Sequence, residues 1–240
     1  MRQLMFSSTA IPRLLPALAL LLALTGCASI SVRRGSEFAT QQKPDLIYVA
    51  KFSTTQGDFN VDREGVELRN FKHELQIALQ AAQAADLSNR LIPAESRSIT
   101  LGSPRQRAWL IRGEFVRVNQ GSRFLRTAIG FGAGGTKLET RVFVYDLSSD
   151  HPEPFLTFST TGGSNAEPGA VTGLATDPLT LVIQTALSGA SGFSHGITED
   201  TKRTAREITA TLSDYMYRSG WISQDRWIKP KDVEPGDTID

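Results

Sequence analysis

A single cysteine, Cys27, constrains the fold of this 240-residue chain before any other feature does. It directly follows a run from 14 to 24 that is almost entirely leucine and alanine, with Arg2 and Arg13 in front. A helix that crosses a bilayer needs about 20 apolar residues, so this run is too short, and it is typical of a secretory signal peptide. We therefore exclude residues 1–26 from the fold, and we expect no disulfide within the remaining chain.

The apolar run ends in Leu24-Thr25-Gly26-Cys27, which resembles the lipobox of bacterial lipoproteins. Small residues before the cysteine suit a signal peptidase groove, and the thiol is the nucleophile that takes a diacylglyceryl group. Acylation also accounts for a lone thiol, which is otherwise odd in an exported protein. We expect the protein to be cut before Cys27 and held on a membrane by the several acyl chains attached there, a lasting anchor. The alternative is an ordinary cleaved signal with an incidental cysteine.

Two further features bear on location and partners. Ala28 follows the cysteine, and by resemblance to enterobacterial sorting rules the lack of aspartate there favours the outer membrane, facing the periplasm. Loss of Arg2 and Arg13 reduces 26 basic residues to 24 against 25 acidic ones, and the net charge from +1 to −1. Binding to a phosphate backbone needs a basic surplus, so nucleic acid is not an expected partner.

The rest of the chain predicts one domain between two less regular ends. Residues 27–43 are polar without periodicity and predict a tether from the lipid to the domain. Residues 44–228 are long enough to bury a core without disulfides. Residues 229–240 are charged, carry two prolines and predict a flexible tail.

The spacing of apolar residues predicts the order β-α-β-β-β-α, an α+β domain whose mainly antiparallel sheet is covered by helices. The predicted strands are 46–52, 109–118, 138–147 and 155–160. The first helix is expected to be capped by Asp62, and the last, over 199–217, by Thr198 with Glu199 and Asp200 in its first turn. The glycine-rich region 162–196 predicts a loop and then a short buried helix over 178–187. The alternative for this region is a membrane-lying or self-associating segment, because it contains two Gly-x-x-x-Gly patterns.

The most distinctive segment, 119–135, joins two predicted strands. One hypothesis is that its bared backbone N–H groups and two arginines hold an anion. The context argues for a simpler interpretation, because a strand follows the glycines where a dinucleotide site needs a helix N-terminus. That simpler interpretation is a glycine-rich bend with solvated or paired arginines. The residues of the anion-binding alternative are Arg123, Arg126, Gly130, Gly132, Gly134 and Gly135.

The same segment carries a family resemblance. It resembles the signature of an uncharacterised family of bacterial envelope lipoproteins, the domain-of-unknown-function family 4410 (DUF4410), and the resemblance extends from about Leu46 to Tyr217. The chain departs from the pattern after Asp146 and beyond Gly220. The resemblance implies an envelope location and no assigned activity. The residues that carry it are Gln120-Gly121-Ser122-Arg123, Arg126, Gly130-Phe131-Gly132-Ala133-Gly134, Leu138, Val142 and Asp146.

A search for reactive groups finds little. A Ser/His pair could be drawn from Ser194 and His195, but near neighbours in sequence are poor geometry for a catalytic triad. The three histidines, His73, His151 and His195, are widely separated. No His-x-x-x-His and no cysteine cluster exist, so neither a metal nor another cofactor is expected. The leading hypothesis is a non-enzymatic lipoprotein that binds or scaffolds another envelope component or a second copy of itself. The anion-binding module is the alternative, and an enzyme whose residues are not recognisable in one sequence is the third.

Overall fold

The computed structural model describes residues 30–34, 42–101, 107–120, 136–150, 153–163, 177–187, 193, 195–230 and 233–234. Within them, no helix is both long enough and apolar enough to cross a membrane. A short 3-10 turn at Gln224–Arg226 follows the last helix. The regular elements are β1 (Ile30–Arg34), β2 (Leu46–Val49), β3 (Asp58–Asn60), α1 (Gly65–Arg90), β4 (Ala94–Ser96), β5 (Ala108–Asn119), β6 (Lys137–Asp146), β7 (Leu156–Gly163), α2 (Pro178–Ala186), α3 (His195–Arg218) and β8 (Val233–Glu234).

The eight described strands form one sheet in the order β4-β2-β5-β6-β7-β1-β8, with β3 also paired to β5. The predicted α+β domain is confirmed, and the sheet is mixed. The pairs β5–β6 and β6–β7 are antiparallel, as consecutive strands joined by loops usually are. The pair β1–β7 is also antiparallel, although these strands are far apart in sequence. The pairs β2–β4, β2–β5 and β3–β5 are parallel. They are parallel because the chain returns from β2 by the α1 crossover.

The central strands owe their length to an alternating apolar pattern. In β6, Leu138, Thr140, Val142 and Val144 are buried, and the residues between them are more exposed. That period of two places one face of the sheet against the helices. Gly113 of β5 lies under the ring of Phe52, and a Cβ at that glycine would lie 2.7 Å from Phe52 Cζ. The sequence therefore needs a glycine there for the two aromatic-rich segments to pack.

Helix α1 presents the predicted apolar face to the sheet. Phe71, Leu75 and Leu79 are fully or almost fully buried. The predicted start is wrong, because the helix begins at Gly65 and its cap position is Glu64, which makes no side-chain cap. The chain needs positive φ at Gly65, at +54°, and so the helix starts after the turn that contains Asp62.

Helix α2 begins as predicted, and helix α3 begins earlier than predicted. Asp177 caps α2 by accepting a hydrogen bond from the Leu179 N–H at 3.0 Å, with Pro178 in the first turn. Helix α3 already begins at His195, so Thr198 is not its cap and Asp200 does not lie in its first turn. The cause is Gly196, whose missing side chain lets the helix approach Thr136, because a Cβ there would lie 2.6 Å from Thr136 Cγ2. Gly220, at φ +73°, follows the helix end as expected.

Short strands lie in both segments that the sequence predicts to be irregular. Residues 30–34, within the predicted tether, pair with β7 in the register Val32↔Phe158. Residues 233 and 234, within the predicted tail, pair in parallel with Ile30 and Ser31. The reason is that the edge of β7 offers unpaired backbone groups, and a neighbouring segment of a few residues is enough to satisfy them.

The strand directions give the sheet two distinct ends. At the Lys137 end, β3 and β5 finish at Asn60 and Asn119, β6 begins at Lys137, and β7 finishes at Gly163. At the opposite, Trp109 end, that indole packs against aromatic rings at centroid distances of 4.9 to 5.9 Å. Helix α3 runs from the Lys137 end to the Trp109 end. The rings around Trp109 are those of Phe155, Tyr215 and Trp221.

Candidate functional site

The site residues predicted from the sequence lie outside the described residues. This holds for the lipobox, Leu24, Thr25, Gly26 and Cys27, and for all six residues of the anion-binding alternative, Arg123, Arg126, Gly130, Gly132, Gly134 and Gly135. Both hypotheses therefore stay predictions. Of the histidines, His73 on α1 and His195 on α3 are exposed, and His151 also lies outside the described residues.

The flanks of the glycine-rich segment are described, and both are held firmly. On one side, Gln120 accepts a hydrogen bond from Arg63 Nη1 at 2.5 Å, and its N–H donates to the Asn60 carbonyl at 3.2 Å. The Arg63 guanidinium also lies 4.4 Å from the centre of the Phe71 ring, a cation–π contact with α1. On the other side, buried Thr136 packs against α3. The segment thus leaves and re-enters the domain at the Lys137 end.

The least expected feature of the domain is a pair of acids on α3, the completely buried Asp200 and the partly buried Glu207. They are two helical turns apart, and Arg203 lies between them at helical spacing to both. Their side of the helix faces the buried side of β6 and β7, where Thr140 and Thr160 share a hydrogen bond of 2.7 Å. We call Asp200 and Glu207, with Thr140, Thr160 and the buried Thr204 between the two acids on α3, the acid seam.

Burial dominates the electrostatics of the acid seam. Asp200 is completely buried, and burial raises the pKa of its carboxyl to about 6, although the Thr136 side chain and Arg203 act in the lowering direction. Burial likewise raises the pKa of Glu207 to about 7; Arg203 lowers it, Asp200 raises it further, and the Thr161 N–H donates to the carboxylate. Both acids therefore change protonation close to neutral pH.

Several polar atoms of the acid seam lack a hydrogen bond of normal geometry to any described residue. They are both carboxylate oxygens of Asp200, Thr204 Oγ1 and Glu207 Oε2. A buried polar atom without a partner costs about 1–3 kcal/mol, so the seam lowers the stability of the interface that contains it. Protonation of the carboxyls reduces that cost because it removes the buried charge.

The chemistry open to the acid seam is proton uptake and release. Carboxyls whose pKa lies near neutrality are the groups that serve as acids and bases in active sites. However, Asp200 is closed to solvent, and no set of three or more His, Cys, Asp and Glu among the described residues could hold a metal ion.

A second charged cluster joins α2 to α3. Lys202 Nζ lies 2.7 Å from Glu199 and 3.4 Å from Asp177, and donates to the Thr180 hydroxyl at 3.0 Å. Arg206 donates to Asp177 at 2.6 Å. Burial acts to raise the pKa of Asp177, but the Leu179 N–H, Arg206 and Lys202 outweigh it and hold that pKa below its usual value. These ion pairs hold α2 against α3.

Sequence reasoning missed the acid seam because it placed the start of α3 too late. With a start at 199, Asp200 is explained by the positive N-terminal end of the helix dipole. One signal in the sequence did point to burial. Asp200 and Glu207 border the stripe formed by Ile197, Thr204 and Ile208, which are all completely buried.

Comparison with known proteins gives a family and a distant structural similarity. A family model described as "Domain of unknown function (DUF4410)" matches residues 47–180. No curated protein matches the chain. Among solved structures, a dodecamer of a PelC point variant from Paraburkholderia phytofirmans, in space group C2, is similar to this chain. The sequence identity is 8% and the TM-score is 0.33, and the match covers 70% of this chain and 98% of that chain. A second structure is the PelC dodecamer from the same organism in space group P6, with 10% sequence identity and a TM-score of 0.32. That match covers 73% of this chain and 96% of that chain.

Proposed function

The chain belongs to the family described as a domain of unknown function, DUF4410, and from that premise we propose that it is a lipid-anchored, non-enzymatic protein of the bacterial envelope that binds or scaffolds another envelope component. The observation that carries the proposal is the position of Cys27. It ends the apolar N-terminal run, it is the only thiol, and the first strand of the sheet begins three residues later, at Ile30. A cysteine in that position is better suited to lipid attachment than to a role in the folded core.

The short connection supports a close attachment to the membrane. An extended chain spans at most about 3.3–3.6 Å per residue, so Ile30 can be no more than about 11 Å from Cys27. The domain would then be held against the bilayer surface rather than on a long tether. Residue 28 is alanine rather than aspartate, which supports a location at the outer membrane with the domain in the periplasm.

The proposed anchor indicates which kind of partner the domain would bind. A domain restrained within about 10 Å of a bilayer meets other components of that surface at a high effective concentration, which favours weak and specific contacts. The partner would be another envelope protein or a second copy of this chain. The near-neutral charge of the mature chain, −1, fits a protein partner better than a polyanion.

The anchor is tested with Cys27→Ala. We expect this variant to lose labelling by a fatty-acid analogue and to leave the membrane fraction, because the thioether cannot form without the sulfur. Ser36→Ala, a matched change just beyond the first strand, should remain labelled and membrane-bound. A Cys27→Ala protein that is still labelled and sediments with membranes would refute the anchor.

The partner is tested separately, by crosslinking in intact cells and purification from membranes. We expect a defined species that is enriched with the anchored protein and lost with a signal-less soluble form. Recovery of nothing above the soluble form would argue against a scaffolding role and leave the anchor intact.

A further inference from the structure

We infer that the Lys137 end of the sheet faces the phospholipid bilayer and that the sheet extends from there away from the membrane. This inference rests on the anchor proposed above and adds an orientation to it. Its starting point is that β1 is the first element after Cys27 and that its partner strands are known.

The register of β1 identifies the end of the sheet that lies beside the anchor. Val32 is opposite Phe158 and Arg34 is opposite Leu156 in the antiparallel pair. Continued by two residues, the register places Ile30 opposite Thr160, close to the end of β7 at Gly163. Gly163 in turn pairs with Lys137, and Lys137 with Asn119. The chain therefore enters the sheet at the Lys137 end, within about 11 Å of the acylated residue.

The pairing of β8 covers the edge of the sheet beside the first residues of β1. β8 pairs with β1 at Ile30 and Ser31, the residues nearest to the anchor. The lateral edge of the sheet is therefore already covered where β1 begins. The N-terminal end of β1 points out of the Lys137 end, so we infer that Cys27 lies on that side of the sheet.

The described surface at that end suits lipid headgroups. Arg117 and Lys137 are about half exposed, and they lie within 4 Å of the carboxylates of Asp58 and Glu139. Val66, at the start of α1, has 60% of its surface exposed, the largest fraction among the large apolar side chains described. Long basic side chains and an exposed apolar side chain at one end of a domain are features of a surface that rests at a bilayer interface.

The Trp109 end should be distant from the membrane in this orientation. β6 has 10 residues, so the two ends are separated by about 30 Å at roughly 3.4 Å per residue. The competing arrangement is a bilayer that lies along the lateral edge formed by β1 and β8. Residues beside β7 would then be near the membrane whichever end they occupy.

The experiment measures the distance of three positions from the bilayer. Because acylation occupies the sulfur of Cys27, one engineered cysteine is a unique thiol for a fluorescent donor. The three changes are at exposed positions: Asp62→Cys at the Lys137 end, and Glu95→Cys and Glu153→Cys at the Trp109 end. Positions 62 and 95 lie toward the β3 and β4 edge, and position 153 precedes β7. The full acylated chain is reconstituted in vesicles of phosphatidylethanolamine and phosphatidylglycerol that contain an acceptor lipid.

We expect energy transfer to the acceptor lipid to be greatest from position 62 and clearly lower from both 95 and 153. Greater transfer from 153 than from 62 would overturn the inference in favour of the lateral edge. Equal transfer from all three would overturn it as well, because the domain would have no fixed orientation. Protein that is acylated and bound yet gives either result refutes the orientation alone. Protein that is not acylated refutes the anchor, and the orientation with it.

Discussion

Replacing Asp200 with Asn tests whether the acid seam lowers stability because it buries a charge. The carboxyl is completely buried on α3, and burial raises its pKa from 3.8 to about 6. Asparagine has nearly the same shape and carries no charge. If desolvation is the main effect, the variant should gain stability at a pH where Asp200 is ionised, and little at a pH where it is protonated.

The size of the effect follows from the pKa. An acid whose pKa is higher in the folded than in the unfolded state binds a proton on folding, so stability falls as pH rises from about 4 through 6. Each pKa unit corresponds to about 1.4 kcal/mol, so the rise from 3.8 to about 6 costs roughly 3 kcal/mol of folding free energy above pH 7. Asp200→Asn removes that cost. Part of the remaining pH dependence belongs to Glu207, whose pKa Asp200 helps to raise.

The assay is urea unfolding at pH 4.5 and pH 8, followed by tryptophan fluorescence. Trp109 contributes to that signal and is buried among Phe155, Tyr215 and Trp221. The informative quantity is the difference between variant and wild type at pH 8 minus that difference at pH 4.5, because any pH-independent cost of the amide cancels. We expect this double difference to be about 2 kcal/mol in favour of the variant at pH 8. About 1 of the roughly 3 kcal/mol is already present at pH 4.5, because the unfolded carboxyl is largely ionised there. Asp62→Asn, at an exposed position, is the control and should show no such change. A difference that is the same at both pH values would refute the desolvation argument.

Two more predictions concern the interior. Glu207→Gln should stabilise the protein at pH 8 and have little effect near pH 4, because the Glu207 pKa of about 7 falls to 4.5 on unfolding and Gln still accepts from the Thr161 N–H; thermal melts that shift equally at both pH values would contradict this. Gly113→Ala should destabilise by about 1–3 kcal/mol, since its Cβ would overlap the Phe52 ring. Urea unfolding measures that loss, and Phe52→Leu in the same chain should recover part of it; no recovery would place the strain elsewhere.

The long elements could be predicted from the sequence because each carries enough periods to be recognised. β5, β6 and β7 alternate over many residues, and Phe71 to Leu79 repeat at helical spacing in α1. Four strands of five residues or fewer could not be predicted. β1, β3, β4 and β8 form because an edge of a neighbouring strand offers them partners, and that information is not local. The parallel half of the sheet was missed for the same reason, because it depends on where α1 returns the chain.

The acid seam shows how a small error at a boundary hides a site. The sequence predicts that the last helix begins at 199, three residues after Gly196, and glycine is a weak helix former. In the folded domain the helix includes it, since only a residue without a side chain can approach Thr136 so closely. The four residues added before 199 move Asp200 from a position explained by the helix dipole to a buried one. Tertiary packing outweighed local propensity here.

The pairing of β1 with β7 has a consequence for the order of assembly. β5, β6 and β7 are consecutive partners, whereas β1 must find β7 across most of the chain. Closing so long a loop costs more entropy, so the consecutive strands are expected to associate first and β1 to join them late. Residues next to Cys27 would then remain extended and accessible while the rest of the domain forms. If the proposed anchor is correct, the enzymes that attach the lipid and cut before Cys27 would have that interval to act before the first strand closes against the sheet.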